Sequence, residues 1–175
     1  PAVFGYDALG YRAASPQTGR DALALTEKLA TAFAGDAQVQ IAFGPHAPYT
    51  CPPDLLSDVA TRASRLAVPV HIHLSETAFE VEQCRAEHGR TPIELAHDCG
   101  LFDARVLVAH CVHPTPSDLT ILAEADASVS HNPVSNLKLG AGIAPLAELR
   151  AAGVRTALGT DSVASNNNLD LFEEI

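Results

Sequence analysis

Short β-branched runs alternate with alanine- and leucine-rich stretches along the chain, and this alternation limits the folds that it can adopt. The runs are VQIAF (39 to 43), VPVHIHL (68 to 74), ARVLVAH (104 to 110), ASVSH (127 to 131) and VRTALGT (154 to 160). Each run predicts a buried parallel strand. Helices are predicted between them, at about 18 to 35, 52 to 66, 77 to 99 with a break near 89 to 92, 115 to 125 and 143 to 152. The pattern therefore predicts a right-handed α/β fold, either doubly wound or a TIM barrel.

The composition is that of a globular chain. The 175 residues are 47% hydrophobic and 18% charged, which suits a sizeable buried core. There is no apolar run of about 18 residues and no basic start followed by an apolar stretch, so we expect a soluble cytoplasmic protein.

The charged residues and the cysteines exclude two further classes of protein. The formal net charge is −10 and the few Lys and Arg residues are scattered, which argues against a nucleic acid polymer as partner. Four cysteines without a C-x-x-C pair predict reduced thiols and not a disulfide scaffold: Cys51, Cys84, Cys99 and Cys111.

Polar residues follow the end of each predicted strand. In chain order they are His46, then His73 and Glu76, His110, His131 and Asn132, and Asp161. Strand ends meet polar loops in many proteins, but five consecutive strands that each end in His or Asp favour a functional site. The carboxyl ends of parallel strands are where α/β barrels and open α/β sheets place such sites.

These residue types suit a catalytic metal centre. Zinc prefers His nitrogen and carboxylate oxygen ligands with one position open for water, and His73 and Asp161 provide both types. Glu76 is placed to carry a proton from that water to a leaving group, and His110 to contact the water or the substrate. His71 shares a strand face with His73 but lies one layer deeper, where we expect a core histidine.

Five motifs in order resemble the metal-dependent amidohydrolase superfamily. They are GPHAPYTCPPDLL, HIHLSET, VAHCVH, SHNPVSNLKLGAGIAPL and LGTDSVASNNNLDLFEE. Within the superfamily they are most similar to the branch of 5′-methylthioadenosine and S-adenosylhomocysteine deaminases, which also contains guanine deaminases and triazine chlorohydrolases. The resemblance implies a (β/α)8 barrel with one catalytic zinc or iron ion.

The resemblance also implies roles for individual residues. His73 takes the place of the fifth-strand metal ligand and Asp161 that of the eighth-strand ligand, which also helps to activate the water. Glu76 takes the proton-shuttling role, and it and His110 contact the substrate.

Three more residues are implied in substrate binding. His46 matches a substrate-contacting histidine, and Ser135 and Asn136 lie in a segment that borders the base pocket in similar enzymes.

The match covers about strands four to eight of such a barrel. The H-x-H ligand pair of the first strand is not in the sequence, so His73 and Asp161 alone would supply two ligands, fewer than the three of a typical catalytic zinc. We therefore predict a partial TIM barrel: a single amidohydrolase barrel domain over residues 1 to 175, incomplete at its N-terminal side and just after the eighth strand. On this prediction the chain is an internal fragment or partial gene product of a larger hydrolase.

For the complete enzyme the resemblance implies hydrolytic deamination of an adenosine-type thioether with release of ammonia. The alternatives are a guanine or 8-oxoguanine deaminase, a triazine chlorohydrolase, or a non-catalytic fragment that lacks the first-strand ligands. The expected partner is a small nucleoside or purine-like substrate, with no nucleic acid polymer and no membrane. The oligomeric state stays open, a homo-oligomer included.

Overall fold

The computed structural model describes residues 2 to 8 and 16 to 175, with side chains described from residue 19 onward. Strands and helices alternate along this part of the chain as predicted. The strands are β1 Ala2–Ala8, β2 Val39–Pro45, β3 Val70–Leu74, β4 Val106–His110, β5 Ser128–His131 and β6 Arg155–Leu158. The α-helices are α1 Pro16–Ala32, α2 Pro53–Leu66, α3 Ala78–His88, α4 Pro92–Asp98, α5 Pro116–Glu124, α6 Pro133–Lys138 and α7 Leu146–Ala151.

All five predicted strands form, and the predicted helix over 77 to 99 breaks where expected, between α3 and α4. Among the strands and α-helices of the described residues, β1 and the short helix α6 were not predicted. The strand pairings described below are all parallel, which confirms the α/β class.

The chain divides into two compact units. The first runs to Ile72 and includes Leu95–Val106, and the second comprises His73–Glu94 and Leu107–Ile175. The prediction of one barrel domain over the whole chain stays a prediction.

In the first unit, β1 pairs in parallel with β2 along its whole length, and β2 pairs with β3 through Phe43 and Val70. Phe43, Leu56 and Ile72 are buried in its core. Helix α2 starts as predicted at a proline pair, with Pro52 as N-cap, because a first-turn proline lacks the N–H group that would be left unbonded there.

In the second unit, β4 pairs in parallel with β5, and β5 with β6. Helix α5 starts at the predicted Thr115 cap, where Thr115 and Asp118 form a reciprocal capping box. Asp118 is completely buried, and the hydroxyl of Thr91 donates to its carboxylate over 2.5 Å. This pair fixes the start of α5 against the segment before α4.

The structure also describes the cysteines and the apolar character of the helices. All four cysteines are free thiols, as predicted. Among the described residues, no helix has both the length and the apolar character that crossing a membrane would require.

Candidate functional site

Three predicted site residues meet in the second unit. His73, His110 and Asp161 each offer one donor atom, and these atoms all lie within 4.8 Å of one another. His73 lies in β3, His110 ends β4, and Asp161 follows β6. The two imidazole rings stack with centroids 5.4 Å apart, and His110 is almost fully buried. The strand ends thus bring together groups that are far apart in the sequence.

The backbone at these strand ends is in the left-handed region, which residues other than glycine rarely adopt. Ser75, His110 and Asp161 have φ angles of +53°, +70° and +58°. The turn after β3 is held in place because the Ser75 carbonyl accepts hydrogen bonds from the backbone N–H groups of Val112 and His113, both at 2.9 Å. Strain of this kind persists only where surrounding contacts maintain it, and it is frequent at functional sites.

Asp161 is held as a carboxylate. Burial, the largest single influence, raises the pKa of Asp161, but the opposing contributions together outweigh it and the net pKa lies below its usual value. The Ser135 and Ser165 hydroxyls donate to Oδ2 over 2.6 and 2.7 Å, and the Ser162 backbone N–H acts in the same direction. An ionised oxygen is therefore available at neutral pH.

His110 is oriented by an amide behind it. Its Nδ1 lies 2.7 Å from Oδ1 of Asn136, which is completely buried. With that oxygen as acceptor, we assign the ring proton to Nδ1, so that Nε2 keeps its lone pair. Nε2 lies 3.8 Å from Oε2 of Glu76, the predicted proton carrier.

Asn132 supports the same assignment. Its amide fits best when turned so that the nitrogen donates to Ser130 Oγ and to the carbonyls of Gly159 and His131. The amide oxygen then faces Nδ1 of His110 at 3.5 Å, as a second acceptor for the ring proton. There is no room for a side chain on Gly159: a Cβ there would lie 2.5 Å from the side-chain amide of Asn132 and closer still to Ser130 Oγ.

His131, at the end of β5, is buried beside this cluster. Its Nδ1 has no hydrogen-bond partner among the described residues, and burial lowers its pKa, so the ring is neutral at pH 7. It does not belong to the three-donor cluster.

Sequence reasoning missed Glu80, which supports the turn that carries Glu76. The Glu80 carboxylate accepts hydrogen bonds from the backbone N–H groups of Ser75 at 3.2 Å and Glu76 at 2.7 Å. Burial raises the pKa of Glu80 to about 7, against the lowering effect of these bonds. The T-x-x-E spacing from Thr77 was a signal for this residue, since Glu80 follows the N-cap of α3 by three positions.

The other predicted site residues fall as follows. Ser135 and Asn136 lie in α6 of the second unit, with their side chains on Asp161 and His110. His46 lies in the first unit, where its Nδ1 is 2.8 Å from Thr50 Oγ1. His71, predicted as a core histidine, is half-buried.

The donor set fits a divalent metal ion. Two imidazoles and an ionised carboxylate are ligands that zinc prefers, and catalytic zinc sites commonly have three protein ligands. Two donors bound to one tetrahedral zinc ion lie about 3.3 Å apart, so small side-chain rotations would close the cluster around an ion. The sequence assigned ligand roles to His73 and Asp161, and the structure adds the donor atom of His110 to the same cluster.

The sequence of the chain is similar to those of known proteins. The chain is 51% identical over 142 residues to 5-methylthioadenosine/S-adenosylhomocysteine deaminase of Desulforudis audaxviator, a match that covers 81% of this chain and 33% of the relative. The chain thus spans about a third of the length of this curated relative.

Solved structures give the same picture. A zinc-bound adenosine deaminase from Xanthomonas campestris superposes with a TM-score of 0.90 at 36% identity, over 97% of this chain and 39% of that one. Guanine deaminase from C. acetobutylicum shares the fold, with a TM-score of 0.86 at 23% identity, over 97% of this chain and 42% of that one.

These structural neighbours are amidohydrolase TIM barrels of which this chain matches a part, which confirms the predicted partial barrel. The sequence model described as "Amidohydrolase family" matches residues 5–175. That match covers nearly the whole chain, and it includes the segments that carry His73, His110 and Asp161. The chain therefore belongs to the amidohydrolase family.

Proposed function

We propose that the whole protein is a metal-dependent hydrolytic deaminase. It would act on an adenosine-type thioether, 5′-methylthioadenosine or S-adenosylhomocysteine, and release ammonia. The observation that carries this proposal is the cluster of His73, His110 and Asp161 donor atoms within 4.8 Å, with the Glu76 carboxylate 3.8 Å from His110. The identity to a relative named as such a deaminase supports the choice of substrate.

His73 and Asp161 hold the ion, which is zinc or iron, with one ion in each complete site, and His110 lies against the same position. When bound, such an ion lowers the pKa of a water molecule towards neutrality, which supplies the nucleophile for hydrolysis. The net lowering of the Asp161 pKa favours this role, because a metal ligand must be deprotonated.

Two side chains move protons in this scheme. Glu76 protonates the ring nitrogen next to the carbon that carries the amine, and then helps ammonia to leave. The attacking water supplies both protons: Glu76 carries one to the ring nitrogen, and Asp161 takes the other and passes it to the leaving amine. His110, with its proton on Nδ1 against Asn136, directs the Nε2 lone pair towards the reacting groups. Water is consumed, the C–N bond to the exocyclic amine breaks, and a carbonyl replaces the amine.

Substrate contacts complete the proposal. Glu76 and His110 touch the purine ring, and His46 is proposed as a further substrate contact. Ser135 and Asn136 border the base pocket through α6, while their side chains hold Asp161 and His110. The substrate is a small nucleoside, and we place the protein in the cytoplasm, with residues 1 to 175 as part of one barrel domain.

The test is turnover by the whole protein loaded with zinc. 5′-Methylthioadenosine, S-adenosylhomocysteine, guanine and a chlorotriazine are each supplied, and ammonia and chloride are measured. Ammonia from the two thioethers is expected. Ammonia from guanine alone, or chloride from the triazine, would indicate another hydrolase activity of the family. Zinc binding without any turnover would support the non-catalytic alternative.

The proposed role of Glu76 is tested with a separate variant. Glu76→Gln should keep bound zinc and lower kcat by about 10²-fold or more, because the amide cannot carry the proton. Glu82→Gln, an exposed glutamate on α3, is the matched control and should leave kcat unchanged. Turnover retained by the Glu76 variant would remove Glu76 from the mechanism.

A further inference from the structure

A further buried carboxylate, that of Glu174, is not among the predicted site residues, although it ends the fifth motif. Glu174 is only 4% exposed although it lies next to the end of the described chain, and the mechanism above does not use it. One carboxylate oxygen accepts a hydrogen bond from the backbone N–H of Val134 at 3.0 Å, and the other accepts from Nδ2 of Asn166 at 2.5 Å. A buried carboxylate is stable only when it is bonded in this way, so both contacts constrain the groups that donate to it.

The first contact leads to α6. Val134 is the second residue of that helix, and the next two residues are Ser135 and Asn136. Ser135 donates to Asp161, and Asn136 faces Nδ1 of His110. Fixing the Val134 N–H therefore fixes the start of the helix that orients two of the three cluster members, His110 and Asp161.

The second contact leads to the turn after β6. Nδ2 of Asn166 also donates to the carbonyl of Thr160 at 2.9 Å, and its Oδ1 accepts from the Asn167 N–H at 2.7 Å. Thr160 directly precedes Asp161, whose backbone is in the left-handed region. The amide of Asn166 therefore links Glu174 to the backbone that sets the direction of Asp161.

We propose that Glu174 is a positioning residue for the metal centre, because its carboxylate joins the start of α6 to the turn that carries Asp161. The inference rests on the proposed function in that it assigns Glu174 to the same centre. Glu174 touches neither the ion nor the substrate, and acts through Val134 and Asn166.

The test is Glu174→Gln in the whole protein. The introduced amide keeps the size of the side chain but replaces one acceptor oxygen by an NH2 group, which must face the Val134 N–H or the Asn166 amide. Asn166 cannot turn to accept from it without losing its bonds to Thr160 and Asn167. Zinc affinity, measured by competition with a chromogenic chelator, should fall by about 10- to 100-fold, the usual effect of removing a residue that orients metal ligands.

The chain offers a matched control and a second variant. Glu173→Gln changes the neighbouring exposed glutamate and should leave zinc affinity unchanged. If Glu174→Gln does not fold, Asn166→Ala, which removes only the second link, is measured in the same assay and should also weaken zinc binding.

The outcomes separate this inference from the proposed function. A Glu174→Gln protein that is less stable but binds zinc as tightly as the wild type would reduce Glu174 to a purely structural residue and overturn the inference. If the wild type deaminates the thioethers and the variant binds zinc normally, the function stands and the inference fails. If affinity depends on Glu174 but no substrate is turned over, the inference stands and the proposed function fails.

Discussion

The buried carboxyl group of Glu80 should make the stability of the protein depend on pH. Burial raises the pKa of Glu80 from 4.5 to about 7, although the backbone N–H groups of Ser75 and Glu76 donate to it. At about 1.4 kcal/mol for each pKa unit, this difference corresponds to about 3 kcal/mol. We therefore expect Glu80→Gln to change the pH profile of the unfolding free energy by about this amount.

The direction follows from which state binds the proton more tightly. The pKa of Glu80 is higher in the folded protein than in the unfolded chain, so its contribution is complete below pH 4.5 and is lost as the pH rises through about 7. About 2.5 kcal/mol of the loss falls between pH 5 and 8. The nearby thiols of Cys84 and Cys111 stay neutral in this window, because burial raises their pKa to about 11 and about 12.

The assay is urea unfolding of the wild type and of Glu80→Gln at pH 5, 6, 7 and 8, with Glu82→Gln as the exposed control on α3. The lost acceptor oxygen changes the unfolding free energy of the variant by the same amount at every pH. Only the pH dependence of the difference between wild type and variant therefore reports the titration of Glu80. The advantage of the wild type over the Glu80 variant should decline by about 2.5 kcal/mol from pH 5 to 8. A difference that stays constant across this range would show that Glu80 titrates alike in both states.

Two further substitutions test packing and polar contacts in the second unit. Gly159→Ala places a Cβ 2.5 Å from the amide of Asn132, and should lower the free energy of unfolding in urea by about 1–3 kcal/mol; a neutral result would mean that the Asn132 side chain moves aside freely. Thr91→Val removes the hydroxyl that donates to the buried Asp118 and should lower the free energy of unfolding by about 1–3 kcal/mol. Thr120→Val, at an exposed hydroxyl on α5, should change it by less than about 0.5 kcal/mol. Equal effects of the two threonine variants would contradict the importance of the buried pair.

The strands that the sequence predicted are those whose short runs contain apolar and β-branched residues next to a polar strand end. Strand β1, with the sequence AVFGYDA, was missed because a glycine and an aspartate interrupt its apolar pattern. Helix α6 was missed because it is only six residues long and lies between a strand end and a glycine-rich turn. Its residues are polar at the positions that face the site, so no amphipathic period marks it.

The ligand candidates were predictable, whereas the hydrogen bonds that support them were not. His73 and Asp161 follow from the rule that parallel strands place functional groups at their carboxyl ends. Glu174 is buried by a return of the chain after β6, and no spacing in the sequence links it to Val134, 40 residues earlier. Residue types and strand ends thus indicated the candidate metal donors, whereas the contacts that hold them form only in the tertiary structure.

The strained backbone at the strand ends is held in place by buried polar side chains. Ser75, His110 and Asp161 adopt a backbone conformation that costs about 1–2 kcal/mol for a residue with a Cβ. Each is bonded to buried partners: Glu80 accepts from the Ser75 N–H, Asn136 faces the His110 ring, and Ser135 donates to Asp161. Removing a partner breaks one hydrogen bond and also lets the strained backbone relax. The site residues should therefore move further than the loss of one hydrogen bond alone would cause.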